Sequence, residues 1–479
     1  MADRKQFRHT KIIATVGPAC NDVEILRRMI DAGMNVARLN LSHGTYEQHA
    51  KTIERVRQAA ELAGSRVAIM IDTRGIEIRT GPLTANTVEL QRGASFELRT
   101  DGEPGDASGV SVSYKKLPEE VAVGEMILLD DGAMELEVKG LEPGRIICEV
   151  VHGGLLKENK GVNLPNTRLS MTAVGPENRD DVLAELAFAV NYDVDYIAAS
   201  FIQSADDIER MRAILREHNV ETPIIAKIEN RAGIENLKEI VAVANGLMVA
   251  RGDLGVELPF GEVPGVQKKM IRTTVMAGKP VITATQMLAS MEHNPRPTRA
   301  EASDVANAIL DGTSAVMLSG ETAVGEYPVE AIQTMHELAL TTEACLAEYG
   351  YLQAIPFHTH NVVTEAIADS VAGMAHKLKA AAIISLTESG FTSRLISKHR
   401  PECPILAITH EEQVARRLTM NWGVEPVVYE GGMDDESRIA CAIDAARDKG
   451  YASPGDNVIV TAGSNQLSGG TNLVRVITL

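Results

Sequence analysis

The chain has 479 residues and a formal net charge of −18, with 44% apolar, 23% charged and only 4% aromatic residues. Its length calls for about two to four folding units with cores of Ile, Val, Leu, Met and Ala, and its charge excludes broad binding to nucleic acid or anionic membrane, which takes a basic face. The opening MADRKQFRHT has no apolar leader, no run approaches the ~18 apolar residues of a spanning helix, and the five cysteines form no CxxC pair, so a cytoplasmic protein with reduced thiols is expected.

Short β-branched runs alternate with amphipathic stretches from the start. Strands are predicted at 11–16 (KIIATV), 35–40 (NVARLN), 66–71 (RVAIMI), 194–200 (VDYIAAS), 223–229 (PIIAKIE), 246–250 (GLMVA), 280–285 (PVITAT) and 314–319 (SAVMLS). Helical patterns fill intervals such as 22–32, 45–63, 204–217, 262–277 and 298–311, several opened by Asn, Ser or Thr. Eight strand–helix units predict an α/β fold, a TIM barrel formed by residues 1–74 and 172–345. Between the third and fourth strands, residues 75–171 read as short alternating strands (SFELRT, EMILLD, MELEV, RIICEVV) parted by Gly, Pro and Asp turns. This is an inserted all-β domain. Leaving from the end of strand three, it is expected to cover the barrel's C-terminal face as a hinged lid. Residues 346–479 begin a fresh α/β pattern with strands AAIISL, PILAIT, EPVVY, NVIVTAG and LVRVITL, read as a separate domain.

Active sites of such barrels collect at the strands' C-terminal ends. Strand two ends in Arg38, Asn40, Ser42 and His43, strand three in Asp72 and Thr73, strand five in Lys227 and Glu229, strand six in Arg251 and Asp253, and strand seven in Thr285. Charges at the opposite ends look few, Arg66 being the clearest. Lys227 and Glu229, two apart on one strand, share a face, and alone they read as an ion pair. Asp253 on the neighbouring strand changes that reading, because two carboxylates with room for water and substrate oxygens suit Mg2+ or Mn2+. A lysine beside them places positive charge where phosphoryl transfer spreads negative charge. Asn40, Ser42, Asp72 and Thr73 offer oxygens with one formal charge, which suits a monovalent cation or a hydrogen-bonded network at strand ends. Arg38 and Arg79 are candidate phosphate forks. Walker, dinucleotide and protein-kinase motifs are absent.

The strings KIIATVGPA, VARLNLSHGTYE, IDTRGIEIRTG, ENKGVNLP, IAKIENRAGIEN, MVARGDLGVELP, ITATQML and NPRPTRAEASDVANAILDGTSAVMLSGETA together resemble pyruvate kinases, in family order across residues 10–345. The resemblance implies transfer of the phosphoryl group of phosphoenolpyruvate to ADP, giving pyruvate and ATP. It implies Lys227 as the phosphoryl-binding lysine, Arg38 on the transferring phosphate, and Glu229 with Asp253 as ligands of Mg2+ or Mn2+. Ala250, Arg251, Gly252 and Thr285 would seat the substrate carboxylate, with Thr285 or its water a candidate proton donor to the enolate. Asn40, Ser42, Asp72 and Thr73 would hold K+. Asn40, His43, Arg79 and the lid's Lys160 would face the nucleotide. The family also implies a homotetramer.

One departure stands out. Where the family usually reads DTKGPEIR, this chain has Arg74 for the lysine and Ile76 for the proline, which removes a φ restriction at the lid hinge. Glu77 is the feature that accompanies K+ dependence in the family. In the C-terminal domain, LTESGFTSR (386–394) reads as a strand, turn and helix start able to take an anion. With the loop at 462–472 it resembles the family's sugar-phosphate effector pocket, implying Thr387, Glu388, Ser389, Gly390 and Thr392 as contacts, with Glu388 favouring a monophosphate. Two other readings are a barrel that handles C–C bonds next to an enolpyruvate and a non-catalytic metabolite sensor. The former lacks the inserted lid and a lysine at the Lys227 position, and the latter would have lost a metal ligand or that lysine.

Overall fold

The computed structural model describes residues 6–165, 167, 169–350, 362–432, 434–463 and 470–479. Eight parallel strands close a barrel in sequence order: Lys11–Thr15 (β1), Val36–Asn40 (β2), Ala68–Asp72 (β3), Tyr196–Ala199 (β4), Ile224–Ile228 (β5), Gly246–Ala250 (β6), Val281–Ala284 (β7) and Ala315–Leu318 (β8). Their near-continuous apolar sequences follow from burial on both faces. Ile13, Val36, Met70, Ile225, Met248 and Ile282 fill the barrel's interior, while Ile12, Leu39, Ile69 and Val249 face the surrounding helices. The sequence placed the third strand two residues early at its start, and Arg66 lies outside it.

Local signals set the helix starts. Asp22 accepts from the amides of Glu24 and Ile25, and Thr45, Ser204 and Thr298 each form a reciprocal capping box with the residue three further on. These caps fix where each helix leaves its loop, and so where the strand ends point.

Between β3 and the helix Arg179–Asn191 the chain builds a six-stranded and a two-stranded sheet around its own core, which includes Phe96, Leu98, Ile127, Leu136 and Ile146. Beyond the barrel, Ala382–Leu386 (β9), Ile405–Thr409 (β10), Val424–Val428 (β11), Asn457–Gly463 (β12) and Thr471–Thr478 (β13) form one sheet in the order β11-β10-β9-β12-β13, with β13 antiparallel at the edge. Among the described residues no helix is long and apolar enough to cross a membrane.

The barrel's N-terminal end is more charged than its sequence suggested. Lys11 and Asp195 are both buried there: the Lys11 ammonium donates to the Val424 carbonyl at 2.7 Å, and Asp195 pairs with Arg416 at 3.0 Å. Arg66 pairs with Glu412, and Met420 joins the apolar cluster inside the barrel. The C-terminal domain thus plugs the barrel's lower mouth. Every one of these partners lies more than 200 residues away along the chain, beyond the reach of local spacing.

Candidate active site

The strand ends converge on a cleft of about 500 Å³ between the barrel's upper rim and the inserted β region. Arg38, Asn40, Thr73, Lys227, Glu229 and Asp253 line it from the barrel, and Arg79, Asp130 and Lys160 line it from above. The register aligns Asn40 with Asp72 and Asp72 with Ala198, which brings the ends of β2, β3 and β4 to one level.

Asp72 is the hub. One carboxylate oxygen accepts from Arg38 Nε at 2.7 Å and the other from Lys227 Nζ at 2.8 Å. Burial alone would raise its pKa, but Arg38 and Lys227 hold it below the usual carboxylate range. Lys227 shows the mirror image: burial opposes its charge, yet Asp72 and Glu229, the latter 2.9 Å away, keep its pKa above the ordinary lysine value. This ammonium stays charged throughout the physiological range. Arg38 also donates to the Thr15 hydroxyl at 2.8 Å, which fixes the plane of its fork.

Two residues that sequence reasoning passed over organise this cluster. The Ser200 hydroxyl lies 2.6 Å from Lys227 Nζ and donates to the Thr73 carbonyl at 2.7 Å, while its amide donates to the Thr73 hydroxyl at 3.0 Å. Phe201 adopts a left-handed backbone at φ 58°, uncommon for a bulky side chain, and its amide donates to Glu229 Oε2 at 2.7 Å. The signal was present, since Ser200 ends the predicted fourth strand as the other polar groups end theirs. Gly75, at φ 72°, rests on this pair: a Cβ there would stand 2.6 Å from that of Ser200.

Glu229 and Asp253 fit a hard divalent cation. Asp253 opens into the cleft, and burial together with the charge of Glu229 pushes its carboxyl up to about 7, against the opposing pull of Lys227. Among the described residues no group of three or more His, Cys, Asp or Glu side chains is placed to hold a metal. In the second set, Asn40 Oδ1 accepts from the Ser42 amide at 3.1 Å and Thr73 is tied to Ser200, giving a hydrogen-bonded network with Ser42 exposed beside it.

The structure distributes the remaining expected residues differently. The Arg251 guanidinium turns away to Asp304 at 2.6 Å and to the Thr285 carbonyl at 2.6 Å, and neither Arg251 nor Thr285 lines the cleft. Thr285 and Gln286 both have left-handed backbones; the Thr285 hydroxyl donates to the Ala284 carbonyl and accepts from the Gly252 amide. Ala250 caps the short helix Arg251–Glu257 that carries Asp253. His43 lies in an exposed turn, its carbonyl accepting from His49. Arg79 donates to the Asn159 carbonyl at 2.9 Å and pairs with Glu77, and Lys160 pairs with Asp130 at 2.7 Å. Arg74 donates to the Leu41 carbonyl at 2.8 Å, lies over the Tyr46 ring, and its amide donates to buried Glu185.

In the C-terminal domain, Gly390 (φ 76°) precedes the helix Phe391–Lys398, and the Thr387 hydroxyl accepts from its amide at 3.0 Å. Glu388 is neutralised by Arg438 at 2.9 Å, and buried Thr392 is bonded to the Thr471 hydroxyl. Ser389 offers its carbonyl to Arg394. Residues 464–469 of the companion loop fall outside the described residues.

Comparison with known proteins places this geometry. A family model described as the barrel domain of pyruvate kinase matches residues 7–332, and one for its alpha/beta domain matches residues 365–477. The chain is 46% identical to a pyruvate kinase of Geobacillus stearothermophilus and 45% identical to one of Bacillus licheniformis, in each case over 98% of this chain and 80% of the relative. A crystal structure of a pyruvate kinase from Cryptosporidium parvum superposes with a TM-score of 0.93 at 40% identity, covering 98% of this chain and 96% of that one.

Proposed function

The chain belongs to the pyruvate kinase family, an enzyme that moves the phosphoryl group of phosphoenolpyruvate to ADP to give pyruvate and ATP, and from that premise we propose how its own residues carry the reaction. The observation that supports the assignment of roles is the convergence of Arg38, Asp72, Lys227 and Glu229 within one hydrogen-bonded cluster. Lys227 is the phosphoryl-binding group. Permanently charged and braced by Ser200, it presents its ammonium to the oxygens over which charge spreads as the phosphoryl group passes to ADP. Arg38, its fork fixed by Asp72 and Thr15, holds the same phosphate from β2.

Glu229 and Asp253 would hold Mg2+ or Mn2+, which would supply neutralising positive charge to the phosphoryl transfer. Asn40, Ser42, Asp72 and Thr73 would hold K+, which would add positive charge beside the phosphoryl-binding lysine. The turn of Ala250, Arg251 and Gly252, braced by the Thr285 hydroxyl, seats the substrate carboxylate through its backbone. Arg79 and Lys160, with Asn40 and His43 on the barrel side, meet the nucleotide. The enolate then takes a proton at carbon, from Thr285 or from a water it orders. Because the Thr285 hydroxyl already donates to the Ala284 carbonyl, a water is the better donor.

A sugar monophosphate acting at the turn Thr387–Gly390, an assembly of four copies and a cytoplasmic setting complete the reading. The experiment that tests the core of it is pyruvate formation from phosphoenolpyruvate and ADP. Activity should require Mg2+ or Mn2+, vanish on chelation and return on adding the ion back; activity that persists in chelator would remove the divalent-ion assignment. Light scattering should give about four times the chain mass, and a monomer would remove the tetramer.

A further inference from the structure

The loop that follows β4 keeps a bulky residue in a backbone conformation that bulky residues avoid. Phe201 sits at φ 58°, in the left-handed region. A residue persists there only where its surroundings over-determine it, and such positions cluster where strain serves a function. The surroundings of Phe201 are of that kind. Buried Ile202 turns its carbonyl to Gly233, where a Cβ would stand 2.8 Å away, and the Gln203 carbonyl accepts from the Asn236 side chain at 2.8 Å. On the other side, a Cβ on Gly75 would stand 2.6 Å from that of Ser200 and 3.4 Å from the Phe201 ring.

With the chain folded this way, two consecutive residues reach both charged groups at the end of β5. The Phe201 amide donates to Glu229 Oε2 at 2.7 Å, and the Ser200 hydroxyl lies 2.6 Å from Lys227 Nζ. The other oxygen of Glu229 lies 2.9 Å from the same Lys227 ammonium. The carboxylate is therefore gripped from two sides, by a lysine of its own strand and by a backbone amide from the neighbouring loop.

Both chain crossings between the barrel and the inserted β region meet that loop. On the outgoing crossing, the Thr73 hydroxyl accepts from the Ser200 amide at 3.0 Å, the Thr73 carbonyl accepts from the Ser200 hydroxyl at 2.7 Å, and Gly75 lies against Ser200 and Phe201. On the returning crossing, the Ala173 amide donates to buried Asp207 at 3.2 Å. The other oxygen of Asp207 accepts from the amides of Gln203 and Ser204, at 3.1 and 2.9 Å.

We propose that Phe201 is a positioning residue: held against Gly75 by its ring and bonded to Glu229 by its amide, it makes the set of that carboxylate depend on where the two crossings lie. The inference rests on Glu229 being a ligand of the divalent ion. Outer-shell partners that orient a ligand contribute roughly 10–100-fold to metal affinity. The link is reciprocal, because crossings that tune the ion's affinity are themselves held by the ion when it binds.

The test is titration of the full chain with Mn2+ alone, read by the paramagnetic resonance of the free ion, beside hydrogen exchange. Phe201→Gly keeps the amide and suits the left-handed backbone, but removes the ring. It should weaken Mn2+ binding about tenfold, whereas Phe201→Tyr, which keeps the ring, should bind as the parent does. In pyruvate formation Phe201→Gly should need about tenfold more Mn2+ for half its maximal rate, with that maximal rate close to the parent's; a merely structural lesion would lower the rate and leave the ion's constant alone. In the parent, Mn2+ should slow amide exchange at 73–76 and 172–174, and in Phe201→Gly this slowing should be lost. Parent-like Mn2+ binding by Phe201→Gly, an equal loss in Phe201→Tyr, or equal slowing at the crossings in parent and Phe201→Gly would each overturn the proposal. Unchanged Mn2+ binding by Glu229→Gln would instead remove the metal assignment on which it rests.

Discussion

Lys227 Nζ lies 2.8 Å from Asp72 Oδ1, so the lysine assigned to the phosphoryl group is also the cross-barrel partner of a carboxylate assigned to a monovalent cation. The two roles are therefore coupled. Whatever draws negative charge toward Lys227 loosens its hold on Asp72, and whatever occupies Asp72 frees the ammonium.

Lys227→Met is expected to lower kcat by about 10³-fold, the scale of losing one preorganised charge at a transition state. Binding of ADP should change little, because Arg79 and Lys160 remain. The check is steady-state pyruvate formation beside an equilibrium titration of ADP; a variant with near-native kcat would remove the lysine from the reaction.

Replacing K+ with tetramethylammonium is expected to abolish most of the activity, and Glu77→Lys to restore part of it by supplying a fixed positive charge near the same oxygens. Glu77 is paired with Arg79 at the cleft's edge, so the substitution also releases that arginine. Initial rates of parent and variant in K+, Na+ and tetramethylammonium buffers decide the matter, and equal rates for the parent in all three would dismiss the cation site.

Much of this cluster was legible because a barrel gathers strand ends, so Arg38, Asn40, Asp72, Lys227 and Glu229 could be grouped without knowing a single distance. Ser200 was equally placed but carries no charge, and an uncharged serine at a strand end draws no attention until it is seen 2.6 Å from Lys227. The partner of the Arg251 side chain was hidden for another reason. Asp304, which claims it, lies 53 residues on, beyond the next barrel strand. The bottom of the barrel was illegible altogether, because Asp195 and Arg416 are 221 residues apart and nothing in either neighbourhood names the other.

Glu185 supplies a pH prediction. Its buried carboxyl is pushed up to about 7, with the Arg74 amide donating to it at 3.0 Å. The unfolded chain releases this proton near 4.5 and the folded one near 7, so the folded state binds more protons in between and stability falls as pH rises through that window. Glu185→Gln keeps an acceptor for the amide and removes the cost. The variant should be more stable than the parent at pH 8, by no more than about 3 kcal/mol, with a smaller gain at pH 5. Denaturant melts at both values test this; an equal gain at both would point to packing instead.

Arg416→Ala leaves the buried Asp195 without its ion-pair partner, with the Ile69 amide still donating to it at 2.8 Å and Arg417 the nearby remaining cation. Removing one partner of a buried pair typically costs about 3–5 kcal/mol, and the partly exposed Arg416 places this one toward the lower end. Asp195→Asn added to Arg416→Ala should recover part of the loss. Thermal unfolding of the set provides the measurement, and additive losses would show that the pair is not coupled.

The plug that the C-terminal domain drives into the barrel bears on how the chain is made. Lys11, in the first barrel strand, finds its carbonyl partner in Val424, 413 residues later. At about 5–20 residues per second of synthesis, that acceptor leaves the ribosome roughly 20–80 seconds after the lysine does. Strand β8, which must pair with β1 to close the barrel, also emerges late. The first strand therefore waits, apolar and unpaired along one edge, for most of the time translation takes, and a nascent chain stalled before residue 424 carries an unfinished barrel with a buried-type lysine still in water.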